Sequence, residues 1–252
     1  MLTERQIEEI SRTLTDGNRG HAEKLYLQDI ILSTVSRETV DELIFKGGTA
    51  LLKFYQLDRF SEDLDFTQNG EIDLENLLNR IKRDLESFGA EVRQLDIEES
   101  ERSFKARLGI EGPLYNGDRK SLCFVRIEVN KKSTVENFNT ERYTPRFQDC
   151  TAFDLPILTE EEILSEKIRA IRTRDKPRDL YDIYHLIQKG VKIDEDLVKS
   201  KLDYYDIEHD VDETLEMAEK LEKNWENLSV LAYSTPPNFE KALETLEKGL
   251  KA

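Results

Sequence analysis

One stretch limits the folds open to this chain more than any other: FKGGTALLKFYQLDRFSEDLDF, Phe45 to Phe66. An apolar run ends in two glycines, a compact apolar helix pattern follows, and then two aspartates alternate with Leu64 and Phe66. Alternate residues of a strand share a face, so Ser61, Asp63 and Asp65 are expected on one side while Leu64 and Phe66 anchor the other. Two carboxylates held that close repel unless a cation sits between them, and hard oxygen donors suit Mg²⁺. A third acid nearby completes a two-metal site for phosphoryl chemistry. Glu128 is the candidate, being the only acid on the otherwise apolar run Val125-Arg126-Ile127-Glu128-Val129. Gly47 and Gly48 permit a sharp turn, after which a helix starting near Thr49 offers unpaired amides and a positive dipole end to a phosphate. The stretch therefore reads as a phosphate cradle followed by a metal-holding strand. A plain strand-to-helix turn followed by a solvated edge strand is the bland alternative.

Around this stretch, strands and helices interleave. Helical spacing occupies 3–14 and 21–35, ELIF reads as a short buried strand, and DLENLLNRIKRDLESFG is amphipathic from Asp73 until Gly89 stops it. Three strand-like runs follow: EVRQLDIEE, SFKARLGIEG and SLCFVRIEVN. From about residue 155 the pattern is wholly helical. Thr159 and Glu162 form a capping box, Pro177 suits the first turn of PRDLYDIYHLIQK, and further helices are expected at 194–203, 211–230 and 238–250. The expected fold is α+β: a small mixed β-sheet core with flanking helices over 1–154, and a helical C-terminal domain over 155–252.

Charge excludes some functions and localises others. The 252 residues hold 53 acids against 37 Lys+Arg, a net of -16, which does not favour broad nucleic-acid binding. Residues 191–252 carry 16 acids and 8 Lys+Arg, half of the net charge. Yet Lys167 to Arg178 holds six basic residues and one acid, Asp175, a basic island on an acidic body. No apolar run approaches the ~20 residues of a membrane span and the N-terminal residues carry no signal core, so a cytoplasmic protein with no membrane partner is expected. Cys123 and Cys150 have neither zinc nor disulfide spacing. His21, His185 and His209 lack ligand spacing, no GxxxxGK[ST] loop occurs, and Trp225 and Tyr204-Tyr205 read as packing residues.

The combination KGGTAL, RFSEDLDF and, about a hundred residues later, SEKIRAIRTRDKPRDLYDIYHL resembles the AbiEii/AbiGii-type nucleotidyltransferase toxins of the DNA polymerase β-like superfamily, over roughly residues 40–190. The resemblance implies a Mg²⁺-dependent nucleotidyltransferase core in a type IV-like toxin–antitoxin or abortive-infection system. It moves a nucleoside monophosphate from a nucleoside triphosphate to an acceptor hydroxyl, with the tRNA 3′ end or another RNA as acceptor and a cognate antitoxin as partner. Position by position, it implies Ser61 and Asp63 as essential, Asp65 as second metal carboxylate and Glu128 as third. Lys46, Gly47, Gly48, Thr49, Ser61 and Arg178 would line the nucleotide, Lys167 would contact its triphosphate, and Asp182 would complete the catalytic set. On helical spacing, Arg178 and Asp182 can pair, while Asp179 and Asp182 share a face able to steady Lys167. Two other classes stay open: a GTP/ATP-binding phosphotransferase acting on a protein, and a nucleotide-binding module without turnover.

Overall fold

A computed structural model describes residues 1–251. The chain divides into two compact units.

The first unit comprises Met1–Phe54, Phe60–Lys132 and Asn139–Ile157. Its helices are α1 (Glu4–Leu14), α2 (Arg19–Glu38), α3 (Gly47–Phe54) and α4 (Leu74–Ser87). Its strands are β1 (Leu43–Lys46), β2 (Asp63–Gln68), β3 (Val92–Glu99), β4 (Ser103–Ile110), β5 (Cys123–Asn130), β6 (Phe138–Tyr143) and β7 (Phe153–Leu158), in the order β3-β4-β5-β2-β1-β7-β6. The sheet is mixed: β2 runs parallel to β5 and antiparallel to β1, and β1 runs parallel to β7. Alternation sorts its faces. Leu64 and Phe66 of β2, with Val125, Ile127 and Val129 of β5, are buried. The apolar stripe of α4, Leu74, Leu77, Leu78 and Ile81, gathers with Phe66, Phe104, Ile127 and Val129 around one tight gap. Asp73 caps α4 through its side chain, as its position ahead of the amphipathic run predicts.

Several expected boundaries shift. The strand expected from Phe60 begins at Asp63, so Phe60, Ser61 and Glu62 precede it and Ser61 does not belong to the alternating face. The helix expected from Thr49 begins at Gly47. Two strands lie outside the expected elements: β6 is polar and exposed along most of its length, and β7 contains Pro156, a residue that argues against a strand lying between two neighbours. The C-terminal part is accordingly helical only after Leu158.

The second unit comprises Tyr55–Arg59, Ser133–Phe138 and Leu158–Ala252. It contains α5 (Glu160–Thr173), α6 (Pro177–Gln188), α7 (Glu195–Asp203), α8 (Val211–Glu219) and α9 (Phe239–Leu250). Thr159 caps α5, and Pro177 opens α6. The helix expected over 211–230 stops at Glu219, and Glu222–Val230 winds more tightly as a 3-10 segment. That segment, EKNWENLSV, contains Asn224, Trp225, Asn227, Ser229 and Val230, all weaker helix formers than alanine or leucine. Trp225 is a core residue whose Nε1 donates to Pro237 O at 2.9 Å.

Candidate active site

In the first unit the site grows from the β1–α3 turn and from β2. Gly47 has φ +77°, a left-handed conformation that glycine alone adopts at little cost. A Cβ there would run into Asp65 Oδ2 and stand 3.1 Å from Asp65 Cβ and Cγ, so the missing side chain is what admits the carboxylate. Gly48 is buried and its φ is negative, so only the first glycine makes the turn. Thr49 is fully buried and its hydroxyl donates to Asp63 O at 2.5 Å, fastening the start of α3 to the start of β2. At the other end of α3, Lys53 Nζ pairs with Asp29 of α2 at 2.5 Å, both side chains almost wholly buried. Gln28 of α2 donates to Ser61 O and Glu62 O at 3.2 and 3.0 Å, which positions the approach to β2. Ser61 itself is 7 % exposed.

Register then assembles the carboxylates. Asp63 lies beside Arg126 and Asp65 beside Glu128 in the parallel β2–β5 pair, and Lys46 lies across from Asp65 in the β1–β2 pair. Asp63, Asp65 and Glu128 therefore share the sheet face opposite the apolar core. Cations share it as well. Arg126 Nη1 donates to Asp63 Oδ1 at 3.2 Å, Arg126 Nε is 4.0 Å from Glu128, and Lys105 Nζ of β4 is 3.9 Å from Glu128. Arg107 of β4 stacks over the Phe124 ring at 4.0 Å. Sequence reasoning missed Lys105, Arg107 and Arg126, although alternation carried the signal: Phe104, Ala106 and Leu108 are buried while Lys105 and Arg107 between them are exposed.

The donor set suits a hard divalent cation in type and in sharing one face. The side-chain directions differ from the expectation: among the described residues no three His, Cys, Asp or Glu side chains converge closely enough to hold a metal ion. Arg126 Nη1 holds Asp63 Oδ1, while the backbone register already sets Asp65 beside Glu128.

The second unit holds a different charged constellation. Asp182 is fully buried and receives Arg59 in a bidentate pair, Nε to Oδ1 at 2.7 Å and Nη2 to Oδ2 at 2.6 Å. Lys167 Nζ lies 2.7 Å from Asp182 and 3.1 Å from Asp179, and Arg174 grips Asp179 with two bonds of 2.8 Å. Three cations thus surround two carboxylates. Burial alone would raise both acids, but Lys167 and Arg174 outweigh it at Asp179, and Arg59 and Lys167 outweigh it at Asp182, so both are held below the ordinary carboxyl range. Asp179 and Asp182 do share a face toward Lys167, as their spacing of three predicts. The expected Arg178–Asp182 pair does not form, because Asp182 takes Arg59 instead. Arg59 was missed: an arginine in a loop gives no sequence sign of being fully buried. His185 Nε2 meets Tyr55 O at 3.1 Å, a packing role.

A half-buried carboxylate face beside a glycine turn on a mixed sheet is suited to holding a cation and a nucleotide's phosphates. The model of the nucleotidyl transferase AbiEii toxin family, of type IV toxin–antitoxin systems, matches residues 30–245, and the chain belongs to that family. It is a nucleotidyltransferase of the toxin class. No curated protein sequence matches it. Among solved structures it is similar to JHP933 from Helicobacter pylori, with 22 % identity, TM-score 0.62 and coverage of 92 % of this chain and 93 % of that one. A putative nucleotidyltransferase from H. pylori is similar at 22 % identity and TM-score 0.61, covering 90 % and 94 %. MenT4, a nucleotidyltransferase toxin of Mycobacterium tuberculosis H37Rv, is similar at 17 % identity and TM-score 0.63, covering 98 % and 88 %. These likenesses bear on the fold. No helix among the described residues is long and apolar enough to cross a membrane.

Proposed function

We propose that this toxin transfers a nucleoside monophosphate from a nucleoside triphosphate to a hydroxyl of an RNA acceptor, the tRNA 3′ end being the favoured one, with Mg²⁺ as the cation. One observation carries the reading: Asp65 and Glu128 are register partners on adjacent parallel strands, with Asp63 on the same face. Asp63, Asp65 and Glu128 would hold the divalent cation, which when bound offsets triphosphate charge and polarises the α-phosphate. The acceptor hydroxyl attacks that phosphorus in line, and pyrophosphate leaves. The chain's own part is positioning and charge stabilisation. The turn at Gly47 and the first amides of α3 receive phosphate oxygens. Arg126, released from Asp63, and Lys105 neutralise the same phosphates from β5 and β4. A cognate antitoxin restrains the activity, and the acidic segment 191–252 is the proposed contact for it.

The test is incubation with Mg²⁺, total tRNA and each of the four α-³²P-labelled ribonucleoside triphosphates, beside an Asp63→Ala control. Label on RNA that the control loses is the expected result. Label on protein alone moves the acceptor to a polypeptide. Transfer from γ-labelled and never from α-labelled nucleotide refutes nucleotidyl transfer.

A further inference from the structure

The basic island at 167–178 is smaller than its sequence suggests. Lys167 is spent on Asp179 and Asp182, and Arg174 on Asp179. Arg172 pairs with Glu213, and Arg169 lies over the Tyr205 ring at 4.6 Å. Two cations remain, Lys176 and Arg178; among the described residues neither side chain has an ion pair or a hydrogen bond. Both line the same cavity of the second unit, about 380 Å³, together with Asp175, Pro177, Asn224, Asn227, Leu228 and Leu231. Asp175 is neutralised by Lys223 at 2.7 Å, so the cavity is net positive in a protein of charge -16. The Asn224 and Asn227 carboxamides are likewise without partners among the described residues.

We propose that this cavity is a docking subsite for one nucleotide of the acceptor RNA strand, a proposal that rests on the RNA-acceptor reading above. Its volume lies at the lower end of the roughly 300–1,000 Å³ of small-molecule sites, the scale of a mononucleotide. Two cations suit one or two phosphodiester charges. The carboxamides offer donors and acceptors to an unpaired base edge, and Pro177, Leu228 and Leu231 give an apolar floor for its face. Two cations and two carboxamides set around one apolar floor suit a ligand with both a charge and a hydrogen-bonding ring edge. An acidic peptide supplies the first and lacks the second. Arg178 also adjoins Asp179, so the strand would be held one residue from the Lys167 cluster on α6.

The test is fluorescence anisotropy of a labelled single-stranded pentaribonucleotide with the full chain, without nucleoside triphosphate, for wild type, Lys176→Ala, Asn227→Ala and a distant Lys251→Ala control. Lys176→Ala is expected to weaken binding about 3- to 10-fold and to lower the log–log salt slope by about 0.7. Asn227→Ala is expected to weaken it about threefold with the slope unchanged, and the control to match wild type. RNA affinities within twofold of wild type in both variants overturn the proposal. An equal loss of ATP or GTP affinity overturns it too, by assigning the cavity to the triphosphate, as does displacement of the RNA by an acidic phosphopeptide. Because binding is read without turnover, absence of nucleotidyl transfer with Lys176-dependent RNA binding refutes the reaction and leaves the subsite standing.

Discussion

Replacing Gly47 by alanine perturbs two quantities that the structure separates. The first is backbone strain. At φ +77° an L side chain costs about 1–2 kcal/mol, which lowers the folding constant roughly 5- to 30-fold. The second is local and larger in its consequence. The new Cβ overlaps Asp65 Oδ2 and crowds Asp65 Cγ at 3.1 Å, so the carboxylate must swing away. Asp65 is half-buried on β2 and its backbone is fixed by pairing on both sides, so the side chain must move while the strand stays in place. A displacement of about 1 Å in a positioning group costs on the order of 10²-fold in rate. Urea unfolding is therefore expected to register a loss of about 1–2 kcal/mol, while nucleotidyl transfer at saturating nucleotide falls about 100-fold in protein that is still folded. Gly48→Ala, at a position with negative φ, is the comparison and lacks the left-handed strain. Gly47→Ala with activity and stability both near wild type would refute the argument that the missing Cβ makes room for Asp65.

Three further outcomes follow from the charge networks. Arg59→Met leaves the fully buried Asp182 without its bidentate partner and is expected to cost about 3–5 kcal/mol in urea unfolding, with Arg59→Lys recovering only part; a loss under 1 kcal/mol would show the pair to be dispensable. Asp179 and Asp182 sit below the ordinary carboxyl range when folded, so their contribution is complete above the unfolded pKa of about 3.9 and is lost as pH falls through it toward the folded values. The urea midpoint should accordingly drop from about pH 4 downward, and Asp179→Asn, less stable at neutral pH, should show a shallower drop. Arg126→Met frees Asp63 from a pair that is 46 % exposed on the arginine side, worth at most about 1 kcal/mol, so Mn²⁺ affinity read by electron paramagnetic resonance should tighten by up to about fivefold; weaker Mn²⁺ binding would mean that Arg126 orients the site and does not compete for it.

The legible parts of this protein are those whose information is local. A period of two placed Asp63 and Asp65 opposite Leu64 and Phe66, a period of 3.6 placed α4 and its buried stripe, and Thr159, Asp73 and Pro177 marked helix starts through groups that act within one turn. The glycine pair announced the turn, because φ beyond zero is open to few other residues. What the sequence left undecided is long-range. Register between β2 and β5, across more than sixty residues, decides that Glu128 stands beside Asp65 and Arg126 beside Asp63, and no local pattern encodes which strands become neighbours. The same holds for Arg59, whose partner lies 123 residues away, and for the basic island, four of whose six cations are taken by acids or a ring that only folding brings near. Hydrophobic periodicity fixes which face of an element is buried, whereas the pairing of charges depends on distances of a few ångströms in a low-dielectric interior, and those exist only once the tertiary structure has formed.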